Sequence, residues 1–324
     1  MLKKVKLSIA ISLENLYNVN DNKKEGAIMP QGKIIRALSG FYYIESSHQI
    51  YQTRARGVFR KRGQSPLVGD IVDFTSDTLE EGVLEKIHPR KNALVRPPVS
   101  NVDIGVVVMS AVEPDFSTHL VDRFLVYLEG MEIQPVLLIT KVDLLTSAQL
   151  QHLEAVKKKY QEVGYEVWYS SEVKEHQSEF LVSYKGKLVV FLGQSGVGKS
   201  TMLNQLIPEL NQETGEISSA LGRGKHTTRQ VSLHEVEEVW IADTPGFSTV
   251  DFIGVEKEDL PHLFPEFEEY STHCKFRECS HQHEPQCAVI EAVEKGKIWQ
   301  ERYDHYQDFY EEISQRKPIY QRKK

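Results

Sequence analysis

The chain has 324 residues, a formal net charge of -7 and 26% charged side chains. That length accommodates two or three domains with separate cores, and the composition excludes fibrous and disordered classes. The negative balance excludes a uniformly cationic coat for nucleic acid, so any contact with RNA has to come from local basic clusters.

Residues 1–28 begin MLKKVKLSIAISLENL, whose apolar part is short, is interrupted by Glu14 and is followed by no small-residue cleavage site. The segment is read as an extension and not as a secretion signal, with Met29 as the expected native start. No run approaches the roughly 18 apolar residues of a membrane span. From Gly32 to about Val95 the segments KIIRAL, FYYIE, QIYQTRARGVFR, DIVDF and GVLEKI alternate apolar and polar residues between turn signals. They predict an all-β, OB-fold barrel over residues 29–96. Arg54, Arg56, Arg60, Lys61 and Arg62 cluster within it. They suit an RNA backbone, and equally a strand edge protected by charge, and the sequence leaves both readings open.

Pro97 and Pro98 mark a linker, after which apolar strands such as GVVVM, PVLLIT, EVWY, LVVFL and EVWIA alternate with helical segments. Strands of this kind are buried on both faces, so a mainly parallel α/β domain is expected over 97–250. Residues 251–324 turn mainly helical and contain the cysteines. There Tyr303, Tyr306, Phe309 and Tyr310 recur at helical spacing and predict a packing stripe.

Gly193-Gln194-Ser195-Gly196-Val197-Gly198-Lys199-Ser200 matches G-x-x-x-x-G-K-[ST], follows LVVFL and precedes the helix-compatible Thr201 onwards. The glycines let backbone amides face phosphate oxygens, Lys199 meets the β- and γ-phosphates, and Ser200 ligates magnesium. Asp243-Thr244-Pro245-Gly246 after the last strand supplies a carboxylate, Asp243, that can hold magnesium through water, and a γ-phosphate amide at Gly246. Thr140-Lys141-Val142-Asp143 after PVLLIT matches the N/T-K-x-D element that selects guanine, whose N1–H and exocyclic amine both donate to Asp143. Thr140 stands where asparagine is commoner. Ser170 and Ser171 suit the weaker base-contacting element. Both base elements precede the phosphate loop, the reverse of the usual order, so the domain is circularly permuted.

Leu221 to Arg229, LGRGKHTTR, reads as a switch loop with Thr227 and Thr228 as further magnesium candidates. Phe247 occupies the position after the DxxG glycine where many GTPases carry a water-positioning glutamine. His226 is the candidate base in its place, or else a polar loop residue. Cys274, Cys279, His281 and Cys287 account for all three cysteines and form C-x4-C-x-H-x5-C, a closed set suited to one structural zinc, with His273 and His283 as competing ligands. Lys275, Arg277 and nearby residues offer a further candidate RNA-contacting surface beside it.

Taken together, RARGVFRK, VGD, TKVDLL, GQSGVGKST, LGRGKHTTR, ADTPGF and CKFRECSHQHEPQCAV resemble, in order, the ribosome small-subunit-dependent GTPase A (RsgA) family from Met29 to the C-terminus. The resemblance implies an OB-fold barrel, a permuted GTPase domain and a zinc domain. It implies late maturation of the 30S subunit, contact with 16S rRNA near the decoding region, and GTP hydrolysis to GDP stimulated by 30S. It also implies release of another assembly factor and a switch-segment histidine, here His226, in catalysis. A cytoplasmic monomer with no membrane partner is expected. The competing reading is a nucleotide-gated RNA-binding scaffold whose hydrolysis is incidental.

Overall fold

A computed structural model describes residues 29–61, 63–207, 210, 231–244, 251–252 and 254–316. The extension 1–28, Arg62, the side chain of Arg60, His226, Thr227, Thr228, Gly246 and Phe247 lie outside the described residues.

β1 (Gln31–Leu38), β2 (Phe41–Ser46), β3 (Gln49–Ala55), β4 (Ile71–Ser76) and β5 (Gly82–Ile87) close in the order β1-β2-β3-β5-β4-β1, an OB-like five-stranded barrel. The β3–β5 pairing is parallel and the rest are antiparallel. Ile34, Ile44, Val72, Phe74 and Leu84 fill the interior. The β1–β2 hairpin turns through Ser39 and Gly40, both at positive φ, the two-residue geometry that matches strand twist. QIYQTRARGVFR, expected as one strand, breaks at Arg56. Gly57–Lys61 form a short helix, α1, whose Phe59 is buried against the barrel core.

The second unit contains β6 (Ile104–Ser110), β7 (Gln134–Thr140), β8 (Glu166–Tyr169), β9 (Leu188–Leu192), β10 (Ser232–Val236) and β11 (Val239–Asp243). Their spatial order is β10-β11-β9-β6-β7-β8, and β11, β9, β6, β7 and β8 are mutually parallel. Alternate side chains of the central strands feed two cores, as a period of two requires. Val107, Met109, Leu137 and Ile139 meet α2 (Thr118–Gly130) and α3 (Ser147–Val163). Val106, Val108, Val136 and Leu138 meet α4 (Ser170–Glu175), α5 (Gln177–Val182) and α6 (Lys199–Leu206). Local signals set the helix ends: Thr146 and Gln149 form a capping box on α3, and Gly164 at φ 110° closes it. β10 is antiparallel to β11 and touches the barrel through the pair Arg36 and Ser232, so one sheet runs through both units.

The C-terminal region comprises α7 (Pro265–Ser271), α8 (Ala288–Glu294) and α9 (Gln300–Ser314) around Phe264, Phe267, Tyr303, Tyr306 and Phe309. Its attachment to α2 is partly ionic. Arg302 and Asp122 are both fully buried and paired, and Arg302 Nε also donates to Glu266 at 2.5 Å. Asp122 further accepts from Tyr160 at 2.9 Å and pairs with the His305 ring at 2.6 Å. Removing Arg302 would leave the fully buried Asp122 carboxylate without its guanidinium partner, a costly uncompensated charge.

Candidate functional site

Parallel register brings strand ends together. Leu192 of β9 aligns with Val107, Ser110 of β6 aligns with Thr140 of β7, and Ala242 of β11 aligns with Val190 of β9. The loops leaving these C-terminal ends therefore open on one edge, where open α/β sheets take their ligands.

Gly193 leaves β9 at φ 142°, and a Cβ there would lie 2.3 Å from the Val108 carbonyl oxygen, so a glycine is required. Gly196 and Gly198 also have positive φ, at 82° and 95°, before α6 begins at Lys199. Such turns let successive N–H groups face a single anion at a helix N-terminus. The buried Lys199 donates to the Gly193 carbonyl at 2.7 Å and to the Gln194 carbonyl. Burial pulls its ammonium down to about 8. Phosphate groups would supply the countercharge that neutral carbonyls do not. Ser200 and Thr201 lie exposed on the first turn of α6, and Gln194 and Ser195 lie along the loop.

The candidate guanine element is tied to the loop 193–200 by the hydroxyl of Thr140. It is 5% exposed and donates to the Val197 carbonyl at 2.6 Å, with the Met109 carbonyl at 3.3 Å. A single hydroxyl thus joins the two loops where an asparagine is commoner. Lys141 follows in the left-handed region at φ 58°, and its ammonium bonds the Glu113 carbonyl after β6. A tight turn over Val142–Leu144 then leaves Asp143 exposed. Beyond β8, the Glu172 carboxylate accepts from the Tyr169 amide at 2.6 Å and pairs with Lys157 at 2.7 Å. This fixes the start of α4 and with it Ser170 and Ser171. Asp243 ends β11, and the Thr244 hydroxyl donates to Phe191 of β9 at 3.3 Å. Sequence reasoning missed the Thr140–Val197 tie and the Glu172 cap, although Glu172 three residues after Tyr169 has capping-box spacing.

The structure also gathers Cys274, Cys279, His281 and Cys287, whose ligand atoms all lie within 4.8 Å of one another. Cys274 Sγ is 3.8 Å from Cys287 Sγ and 3.7 Å from His281 Nδ1, and His281 Nδ1 is 3.3 Å from Cys287 Sγ. Bonds of roughly 2.3 Å to tetrahedral corners place sulfurs roughly 3.8 Å apart, so the residues present fit a tetrahedral metal ion. Burial pushes the Cys279 thiol up to about 12, with neighbouring cysteines adding to the effect. A dication would reverse that preference. Burial also opposes ionisation of Glu284. Hydrogen bonds from the Ser280 hydroxyl and amide and the Gln282 amide prevail and hold the carboxyl down at about 2. Tyr303 donates to the His281 carbonyl at 2.7 Å. His273 and His283 are exposed and outside the cluster.

On the barrel, the Arg54 guanidinium lies 4.4 Å from the Phe41 ring centroid and that of Arg36 lies 4.5 Å from Tyr43. Both pairs are cross-strand neighbours. Arg56 is paired with Glu85 at 2.6 Å, and Lys61 is exposed on α1.

A phosphate loop and a guanine element on one sheet edge, with the guanine element first in the chain, define a circularly permuted P-loop GTPase. The chain belongs to the RsgA GTPase family. The model described as RsgA GTPase matches residues 87–253 and that described as RsgA N-terminal domain matches 31–84. A model described as 50S ribosome-binding GTPase matches 188–319. The chain is 53% identical to a Streptococcus pyogenes protein named small ribosomal subunit biogenesis GTPase RsgA over 292 residues, 90% of this chain and 98% of that one. An Enterococcus faecalis protein of the same name is 53% identical over 293 residues, again 90% and 98%. The crystal structure of YloQ, a circularly permuted GTPase, matches with a TM-score of 0.77 and 42% identity over 93% of this chain and all of that one. YjeQ from Thermotoga maritima matches at 0.76 and 31%, over 90% of this chain and all of that one.

Two outcomes follow for nucleotide binding. Thr140→Val removes the tie while keeping the volume, and should weaken GDP affinity about tenfold, whereas Thr140→Asn should stay near wild type, as fluorescent-nucleotide titration would measure. Unchanged affinity in the valine variant would show the tie to be dispensable. Since phosphates favour the charged Lys199, nucleotide affinity should be level below the free protein's value of about 8. Above it the free protein loses a proton that binding must restore, so affinity should fall by up to about tenfold per pH unit. A profile flat to pH 9 would contradict this assignment.

Proposed function

We propose that this GTPase acts in late maturation of the 30S ribosomal subunit, binding 16S rRNA near the decoding region and hydrolysing GTP to GDP with stimulation by 30S. The observation that carries the reading is identity above half across 98% of proteins named for small-subunit biogenesis. The model named for 50S binding spans only residues 188–319, from the phosphate-loop strand onward, so it weighs less on the choice of subunit.

The functional units proposed are the barrel at 29–96, the GTPase domain at 97–250 and the zinc domain at 251–324. Asp143 accepts from the guanine edge, with Lys141 and the Ser170-Ser171 segment framing the base. Gly193 to Ser200 wrap the phosphates and Lys199 neutralises them. Ser200 and Asp243, with Thr227 and Thr228, would hold magnesium, which would supply charge neutralisation for the phosphates. Gly246 supplies an amide to the γ-phosphate and His226 accepts the proton of the attacking water. The metal at Cys274, Cys279, His281 and Cys287 is zinc, favoured by a soft Cys3His donor set with no position left open to water, and its role is structural.

RNA contact is supported by the Arg36–Tyr43 and Arg54–Phe41 pairs, since guanidinium and aromatic planes both accept stacked bases. Departure of another assembly factor, a cytoplasmic location and a monomeric state complete the reading. Among the described residues no helix is long and apolar enough to cross a membrane.

The test is hydrolysis of GTP and ATP with and without purified 30S subunits, for wild type and His226→Ala. Stimulation by 30S restricted to GTP, with a loss of about 100-fold or more in His226→Ala, is expected for a general base. GTP turnover indifferent to 30S would overturn the ribosomal reading in favour of a scaffold with incidental hydrolysis. Full activity in His226→Ala would remove that residue from the chemistry.

A further inference from the structure

The residues between Cys274 and Cys279 are Lys275, Phe276, Arg277 and Glu278, and all four are exposed. Phe276 is 45% exposed, and among the described residues it is the one aromatic side chain left in water to that degree. The other described phenylalanines, tyrosines and tryptophans are buried or half-buried. An apolar ring in water forgoes the stabilisation that burial gives, so its position at a surface tip needs a reason.

The loop has little freedom to fold the ring away. Its two ends are cluster residues, and those ligand atoms lie within 4.8 Å of one another. The Lys275 amide also donates to the Gln286 carbonyl at 3.4 Å across the turn. The Lys275 ammonium lies 5.7 Å from the ring centroid, and Arg277 follows directly in the chain. An exposed apolar ring with a cation directly before and after it in the chain matches single-stranded nucleic acid, in which a base stacks on the ring and adjoining phosphates meet the cations. A protein pocket for Phe276 would instead have to desolvate the Lys275 ammonium beside the ring, and lysine is depleted at interfaces.

Resting on the ribosomal reading above, we infer that Phe276 is a stacking contact for an unpaired base of ribosomal RNA, with Lys275 and Arg277 on the flanking phosphates. The cysteine–histidine cluster then has a purpose beyond stabilising its own fold: it presents the ring already ordered, so that stacking is not offset by the cost of fixing the loop.

The experiment measures 30S affinity of full-length wild type, Phe276→Ala, Phe276→Leu and Phe276→Tyr with a non-hydrolysable GTP analogue, after each is shown to carry one zinc per chain and to bind GDP as wild type does. The alanine and leucine variants should bind 30S about five- to hundredfold more weakly, and the tyrosine variant within about twofold of wild type. A photoreactive benzoyl-phenylalanine at position 276 should crosslink to RNA. Wild-type affinity in Phe276→Ala, leucine binding as well as tyrosine, or crosslinking to a ribosomal protein would each overturn the inference. Failure of wild type itself to bind 30S would instead overturn the ribosomal reading, and this inference with it.

Discussion

With β11, β9, β6, β7 and β8 locked in parallel register, the ends of five strands share one edge whatever order the chain visits them in. The site depends on that constraint. The segments after β7 and β8 proposed to read the base come first in sequence, and the chain only later enters β9 at the centre of the sheet, where β6 and β11 flank it. The Thr140 hydroxyl on the Val197 carbonyl then ties the loop after β7 to the loop after β9. Permutation leaves this geometry untouched because strand pairing, not chain order, places the loops.

Chain order does change what the nucleotide edge is connected to. The segment leaving β11 runs on to the C-terminal region, and β10 abuts the barrel through Arg36 and Ser232. Both neighbours are therefore joined to strands bordering the phosphate site. The C-terminal region is held by the buried Arg302–Asp122–Glu266 contact against α2.

Local chemistry was the most legible part of the sequence. Gly193 to Ser200, Thr140 to Asp143 and the four metal-ligand candidates are short patterns whose residue types the chemistry dictates, and the apolar runs marked the buried strands. α1 was not legible, because one buried phenylalanine, Phe59, among arginines carries no helical period. Arg302 and His305 sit on α9 among the aromatic residues that were read as a packing stripe, and their burial depends on Asp122, 180 and 183 residues away. Thr140 was legible as part of a motif but not as a tie, since its acceptor is a backbone carbonyl that leaves no mark in sequence. The exposure of Phe276 was equally invisible, because an isolated phenylalanine ordinarily signals core.

The claim that most needs a direct test is that a loop preceding the phosphate loop in the chain reads the base. Binding of GDP and of xanthosine diphosphate should be compared for wild type and Asp143→Asn. With Asp143 as the acceptor of both guanine donors, the asparagine variant should lose GDP affinity by about 100-fold and prefer the xanthine nucleotide, whose edge offers an acceptor in place of the amine. Unaltered GDP preference in that variant would contradict the account and place base recognition elsewhere.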